Sequence, residues 1–212
     1  MALKKKKKTE EYVENRGIMG NGKDYHVYHM TKPDVMTACA LGFAAASIVL
    51  FAFFNSPVLS VVGGILCAKI LPKYYREFKK KKQLNELRAQ FKDLLESLTS
   101  SYSAGQNTVE AFGDAVSDMM SIYGEEADIV QEVRIISTGL KHNVNIEELL
   151  KDFAARSSLD DVMSFANVFE ICNRQGSDLK RIVSDTREII NDKIEVEMEI
   201  ETMIAGSKNE LN

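Results

Sequence analysis

The sequence is poor in cysteine, and this excludes the small folds that disulfide bonds or zinc ions hold together. Three cysteines occur in 212 residues, at Cys39, Cys67 and Cys172. None has a partner at the spacing of a metal site, and three isolated cysteines do not form a disulfide framework. Used as small apolar side chains, they fit a reducing, cytoplasmic environment.

Proline is equally rare, and its absence from most of the chain favours helices. Three prolines occur, and none follows Pro72. The turn and alternation patterns typical of strands are also missing there, except over Ile194–Glu201, which alternates apolar and acidic residues. A single strand in a helical domain has nothing to pair with, so we expect this segment to continue a helix.

Basic residues are scarce in the second part of the chain. Residues 93–212 carry 24 acidic and 10 basic side chains, a net charge of −14, whereas residues 1–92 carry +10. An acidic domain of this kind is a poor nucleic-acid binder, because phosphate contacts need Lys and Arg. Its charge keeps it off an anionic bilayer, and suits either simple solubility or a basic partner.

Two apolar stretches near the start of the chain predict a membrane protein. Val35–Phe54 is uncharged, and Val58–Leu71 is interrupted only by Lys69. A helix needs roughly 20 apolar residues to cross a hydrocarbon core of about 30 Å, so the second stretch is short, although Lys69 can snorkel to the headgroups. Asn55-Ser56-Pro57 is a turn signal. We therefore expect a transmembrane helical hairpin over residues 35–72.

Lysine clusters flank this hairpin on both sides and predict its orientation. Lys4–Lys8 precede it, and Lys79, Lys80, Lys81 and Lys82 follow it. The positive-inside rule places both flanks in the cytoplasm. Residues 1–34 are then a basic cytoplasmic segment, and residues 73–212 are a cytoplasmic domain. The second cluster either only sets the topology or also contacts anionic lipid headgroups. A cleaved signal peptide fits poorly, because the apolar run starts late and is too long.

The cytoplasmic domain has helical periodicity throughout. Apolar residues recur three or four positions apart in six stretches. These stretches begin near Leu84, Val109, Ile129, Leu149, Val162 and Leu179. Asn107, Asn145 with Glu148, and Ser158 with Asp161 are the expected N-caps. Since every connection is short, neighbouring helices should pack antiparallel, and the pattern predicts an all-α, six-helix bundle.

Three glycines are the expected turn-setting residues of this bundle. Gly105, Gly139 and Gly176 each follow an amphipathic stretch, at intervals of 34 and 37 residues. This period suggests an alternative, a membrane-anchored adaptor or signalling module built from tetratricopeptide-like repeats. The Trp/Tyr/Pro signature of those repeats is missing and the third unit is incomplete. We therefore favour helix C-caps in a single bundle.

Candidate chemical motifs are weak. Gly17–Lys23 fits the first seven positions of a phosphate-binding loop, but Asp24 stands where Ser or Thr should bind magnesium, and no apolar strand precedes it. His26 and His29 have no third ligand nearby, and His142 has no adjacent relay partner. No nucleophile–base pair is visible. We therefore predict a protein that is not an enzyme, with no catalytic, metal-binding or cofactor-binding residues.

The order of these segments resembles a known family. A long helix ends at Ser103-Ala104-Gly105 and is followed by a helix with Ala111-Phe112. Then come Gly139 with the acidic-capped helix Ile146–Leu150, and Glu170–Leu179 around Gly176. With the hairpin, this arrangement is similar to the type II secretion system F domain, and most similar to its tight-adherence (Tad) pilus branch.

The resemblance implies a platform subunit in a bacterial plasma membrane. Such a protein couples a cytoplasmic secretion ATPase to the assembly of pilin subunits. The implied partners are that ATPase, other platform or pilin subunits, and membrane lipids, in an oligomer. Family members of this branch usually continue past a segment like Met203–Lys208 into another membrane hairpin. The given sequence ends at Asn212, so the resemblance leaves two alternatives: further spans follow Asn212, or the chain is a short variant.

Overall fold

The computed structural model describes residues 14–54, 57–175 and 178–209, and its regular secondary structure there is entirely helical. The prediction of an all-α protein is therefore confirmed. The helices are α1 (Lys32–Phe54), α2 (Pro57–Ser103), α3 (Thr108–Tyr123), α4 (Asp128–Lys141), α5 (Ile146–Ser157), α6 (Asp160–Gln175) and α7 (Leu179–Asn209). The alternating segment Ile194–Glu201 lies within α7, as expected.

Helix α2 is longer than the sequence indicated. The apolar stretch Val58–Leu71 and the amphipathic stretch after Leu84 belong to one helix of 47 residues that passes through Pro72. A proline inside a helix removes the hydrogen bond to the carbonyl four residues earlier, here that of Ala68. Cys39 of α1 replaces it, because its Sγ donates to the Ala68 oxygen at 3.5 Å. This contact helps the helix to continue.

Helix α1 packs closely along the first part of α2. A Cβ atom on Gly64 would lie 2.6 Å from Ser47 Oγ and 2.7 Å from the Phe43 ring, and one on Gly63 would lie 2.0 Å from Leu50 Cδ1. Small residues of this kind allow the backbones of apolar helices to approach each other. Gly63 and Gly64 therefore determine how these two helices fit together.

Within the described residues, one helix is long and apolar enough to cross a membrane. It is the part of α1 from Lys32 to Ala52, and 11% of its most apolar window is buried inside the protein. A core helix of a soluble protein can meet the same length and composition criteria. The low burial leaves the apolar side chains of α1 facing outward.

The remaining helices form a helical bundle around one hydrophobic core. The core takes side chains from the second part of α2 and from α3 to α7. Its centre is aromatic: the Phe91 ring of α2 meets Phe153 of α5 and Phe165 of α6 edge to face, at centroid distances of 6.0 and 5.7 Å. Helix α2 is therefore both the continuation of the apolar segment and a central element of the bundle.

Helix α7 runs back along α2. Arg187 pairs with Glu96 and, ten residues further along α7, Glu197 pairs with Arg88. The numbering of the two helices thus runs in opposite directions. Asp161 of α6 binds both Arg88 and Lys193, which joins the three helices.

The helix caps follow the sequence in part. Asn107 is the N-cap of α3, as predicted, and with Glu110 it forms a reciprocal capping box. Asn145 precedes α5, but its side chain makes no capping hydrogen bond. The expectation for Ser158 is wrong: it ends α5 in a left-handed conformation, with φ of 54°. Helix α6 begins two residues later, at Asp160.

The three turn-setting glycines have different surroundings. Gly105 follows α2 with φ of 81°, a conformation that suits glycine. Gly139 does not end a helix, because α4 continues to Lys141 and the positive φ of 59° falls on Asn143. The lack of a side chain at Gly139 allows close packing instead, since a Cβ atom there would lie 2.5 Å from Leu149 Cδ2. Gly176 lies outside the described residues.

We expect opposite effects from two glycine-to-alanine substitutions. Gly139→Ala should destabilise the protein by about 1–3 kcal/mol, because the new methyl group overlaps the buried Leu149 side chain. Gly113→Ala in α3 has no atom within 4 Å and should stabilise by about 0.5–1 kcal/mol. Thermal unfolding of both variants in the same detergent measures the difference, and equal shifts would contradict it.

Candidate functional site

The most unusual part of the protein is an extended segment that crosses the helical bundle. Residues 14–31, called the strap here, lie within the segment 1–34 that the sequence indicated only as a basic extension; Lys4–Lys8 lie outside the described residues. The strap contacts α4 and α5 and then leads into α1 at Lys32. Its residues Asp24 and Tyr25 are buried.

The strap covers a buried ion pair. Arg156 of α5 donates from Nη1 and Nη2 to the two carboxylate oxygens of Glu132 of α4, both at 2.6 Å. Its Nε donates to Asp152 at 2.9 Å. The Arg156 and Glu132 side chains are almost completely shielded from solvent. Two charges that are removed from water need well-placed hydrogen-bond partners, and this bidentate pairing supplies them.

Three hydrogen bonds connect the strap to this pair. Tyr25 Oη donates to Glu132 Oε1 at 2.9 Å, and Arg156 Nη1 donates to the Lys23 carbonyl at 3.0 Å. The Tyr25 backbone N–H donates to the Arg156 carbonyl, also at 3.0 Å. The strap therefore completes the polar partners of both buried charges, and without it they would be partly unsatisfied.

Burial and charge shift the ionisation of all three side chains. Burial raises the pKa of Tyr25 far above its usual value, and the Glu132 carboxylate adds to this. Burial also raises the pKa of Glu132, against the opposing effect of Arg156. For Arg156, burial lowers the pKa, but its bonds to Glu132 and Asp152 outweigh burial and raise it. Arg156 is thus always charged and Tyr25 always neutral at ordinary pH.

The glycines of the apparent phosphate-binding loop fit the strap against α5. Gly17 has φ of 70°, and a Cβ atom there would lie 2.4 Å from an Asp152 oxygen. A Cβ atom on Gly22 would lie 2.6 Å from the Arg156 guanidinium carbon. The N–H of Ile18 donates to Asp152 at 3.0 Å. The glycine spacing therefore has a role within the protein, where it accommodates a carboxylate and a guanidinium of α5.

A second polar chain fixes the strap to the turn after α5. His26 Nδ1 lies 2.9 Å from Asp24 Oδ1, and His26 Nε2 lies 2.6 Å from Ser158 Oγ. No sequence pattern indicates this base–hydroxyl pair, because His26 and Ser158 are 132 positions apart. The order carboxylate, imidazole, hydroxyl is that of a nucleophile relay, but catalysis also needs oxyanion donors and a substrate pocket. In this protein the contacts from Asp24 through His26 to Ser158 attach the strap to the turn after α5.

The predicted headgroup lysines lie beside the end of the strap. Lys79 Nζ lies 3.6 Å from an oxygen of Asp34 and 5.6 Å from the centre of the Tyr75 ring, and Lys82 pairs with Glu86. Thr31 Oγ1 donates to Asp34 Oδ2 at 2.7 Å. A surface cavity of about 270 Å³ opens here between the strap and α2. It is lined by Lys23, Tyr28, Lys79, Lys82, Gln83, Glu86 and Asp128.

The described residues contain no cluster of three or more His, Cys, Asp or Glu side chains placed to hold a metal ion. Cys39 and Cys172 are free thiols.

Searches of family models, of curated proteins and of solved structures found nothing that matches this chain.

Removing the buried guanidinium should be costly. We expect Arg156→Met to destabilise the protein by about 3–5 kcal/mol, because Glu132 would keep a buried and unpaired charge. Adding Glu132→Gln should recover part of this loss. Arg134→Met, which removes an exposed ion pair with Glu125, is the control and should cost under about 1 kcal/mol. Denaturant unfolding of the four proteins tests the order; equal losses for Arg156→Met and Arg134→Met would contradict it.

One buried and one partly buried tyrosine, Tyr25 and Tyr123, predict a loss of stability at alkaline pH. Tyrosines of the unfolded chain have a pKa of about 10. In the folded protein, burial of the side chain raises the pKa of Tyr123 to about 12 and raises that of Tyr25 even further. The contribution of these tyrosines to the free energy of unfolding is therefore fully present below about pH 10 and is lost as the pH rises above that value. Tyr25→Phe should reduce this fall, and Tyr74→Phe, on an exposed residue, should not. Unfolding free energies across this range provide the measurement.

Proposed function

We propose that this protein is a membrane platform subunit of a bacterial pilus assembly or type II-like secretion machine. In this role it couples a cytoplasmic ATPase to the assembly of pilins and performs no chemistry itself. Support comes from the resemblance to the type II secretion system F domain and from the path of α2. The alternative, an adaptor with tetratricopeptide-like repeats, explains the glycine spacing but gives no role to the strap.

The observation that carries the proposal is the continuity of α2. This helix of 47 residues is about 70 Å long and passes without a break from an apolar segment into the centre of the bundle. The strap supplies a second attachment, because it fastens the bundle to the start of α1. A force applied to the bundle would reach the apolar helices through two connections.

In the proposed arrangement, α1 and the first part of α2 form an antiparallel transmembrane hairpin. The bundle of six helices, from the second part of α2 to α7, lies on the cytoplasmic side, where the flanking lysines place it. Lys79, Lys80, Lys81 and Lys82 then lie near the headgroups. The acidic bundle is repelled from anionic lipid, which leaves it free to meet the ATPase.

The proposal is tested first by binding and by deletion. The full chain, reconstituted in lipid nanodiscs, should retain the secretion ATPase of the same organism, and deletion of the gene should abolish piliation or secretion. Neighbouring genes for an ATPase and small pilins would agree with this function. Absence of both binding and any assembly defect would refute it, and kinase or receptor neighbours would favour the adaptor.

A sharper test separates helix continuity from helix composition. Arg76, Glu77 and Lys81 are exposed residues of α2 between its apolar and core segments. Replacing all three by glycine should weaken the helix by about 3 kcal/mol relative to replacing them by alanine. We expect the glycine variant to lose pilus assembly while it still binds the ATPase, and the alanine variant, with the same loss of charge, to remain active. Equal activity would show that α2 does not transmit force.

A further inference from the structure

Helix α7 has two apolar faces, and only one of them is used within the protein. Val183 and Ile190 are buried in the core, with Ile194 packed beside them. A second set is exposed: Ile189, Val196, Ile200 and Met203, with exposed fractions of 65, 53, 50 and 60%. At 100° per residue, these four lie within about 60° of one another around the helix axis. They are called the α7 stripe.

The spacing of the α7 stripe is that of a helix that packs against another helix. Ile189, Val196 and Met203 are seven residues apart, and Ile200 lies four after Val196. Single exposed apolar residues are ordinary on protein surfaces, but four of them on one side of a helix, at intervals of seven, four and three residues, are typical of a helix–helix contact. The row is about 21 Å long, which is enough for a partner helix of four turns.

One edge of the α7 stripe is strongly acidic. Glu188, Asp192, Glu195 and Glu199 lie along it, and residues 182–203 carry seven acidic against two basic side chains, a net charge of −5. The two basic residues are engaged within the protein, because Arg187 pairs with Glu96 and Lys193 with Asp161. A partner of this surface therefore meets apolar side chains beside carboxylates.

This charge pattern selects against a second copy of the same chain. An antiparallel pair of α7 stripes would bring the two acidic edges together, and in either orientation both bundles carry their large negative charge into the contact. Like charges across an interface disfavour association. A helix with Lys and Arg beside its apolar row has the complementary pattern.

We propose that the α7 stripe is a docking surface for a basic amphipathic helix of another protein. Apolar residues of the partner, three and four positions apart, pack on Ile189, Val196, Ile200 and Met203, and its Lys and Arg side chains pair with the acidic edge. This inference does not depend on the proposed platform function. If that function holds, the α7 stripe is one surface through which a partner subunit acts on α2, because α7 packs against α2.

The first test measures binding of a designed peptide to the full chain in nanodiscs of zwitterionic lipid. The probe is a fluorescent helical peptide of 21 residues, with leucines at three- and four-residue spacing and Lys and Arg beside them. A matched peptide carries Glu at the same flanking positions, and empty nanodiscs are the background. We expect the basic peptide to bind at least tenfold more tightly, with an advantage that declines as salt is added.

Two double variants place the binding site. Val196→Ser with Ile200→Ser should weaken binding of the basic peptide at least tenfold. Met120→Ser with Ile122→Ser, which changes exposed apolar residues of α3, should leave it unchanged. Equal binding of the two peptides, or equal losses in the two variants, would overturn the proposal. The assay contains no pilus component, so its failure would leave the platform function standing.

A crosslinking experiment in cells then tests the partner class. A photoreactive residue at position 196 should crosslink to a segment of another protein that has apolar residues at helical spacing and an excess of Lys and Arg. The same residue at position 122 should not. A crosslink at position 196 to a second copy of this chain, to lipid, or to a segment without basic excess would contradict the assignment.

Discussion

The buried guanidinium of Arg156 is the constraint on which the arrangement of the bundle depends. Moving it and Glu132 out of water carries a desolvation penalty of several kcal/mol per ion, which only a complete set of hydrogen-bond partners offsets. Those partners come from α4, from α5 and from the strap. Because no one element supplies all of them, the strap is a required part of the bundle although it has no regular structure.

The strap also attaches the bundle to the start of helix α1. It continues into α1, so the buried ion pair is coupled to the start of an apolar helix, while α2 enters the core directly. The two connections meet again between α1 and α2, where Gly63, Gly64 and the bond from Cys39 to the Ala68 carbonyl hold the helices together. The apolar helices and the bundle are therefore joined through two connections, and the proposed platform role uses both.

Helix α7 gives the bundle a second distinctive surface. Helix α7 uses one apolar face to pack on α2 and leaves the α7 stripe exposed beside a row of carboxylates. Burying the stripe against a partner would remove apolar area from water, and the charges beside it limit which partners can do so. Part of the acidic composition thus has a specific location on the folded protein, beside the α7 stripe.

Local patterns determined the helices of this protein, and long-range contacts determined the site. Helical spacing and the Asn107 capping box are set by neighbours within four residues, so the sequence shows them directly. The Ala68 carbonyl that Pro72 leaves without its helical partner accepts instead from Cys39, 33 positions before the proline. The sequence around Arg156 indicates only a helix, and the sequence of Gly17–Gly22 resembles an incomplete phosphate-binding loop. Only packing of α4, α5 and the strap brings charges more than twenty positions apart into one buried cluster, because burial is a property of the assembled fold.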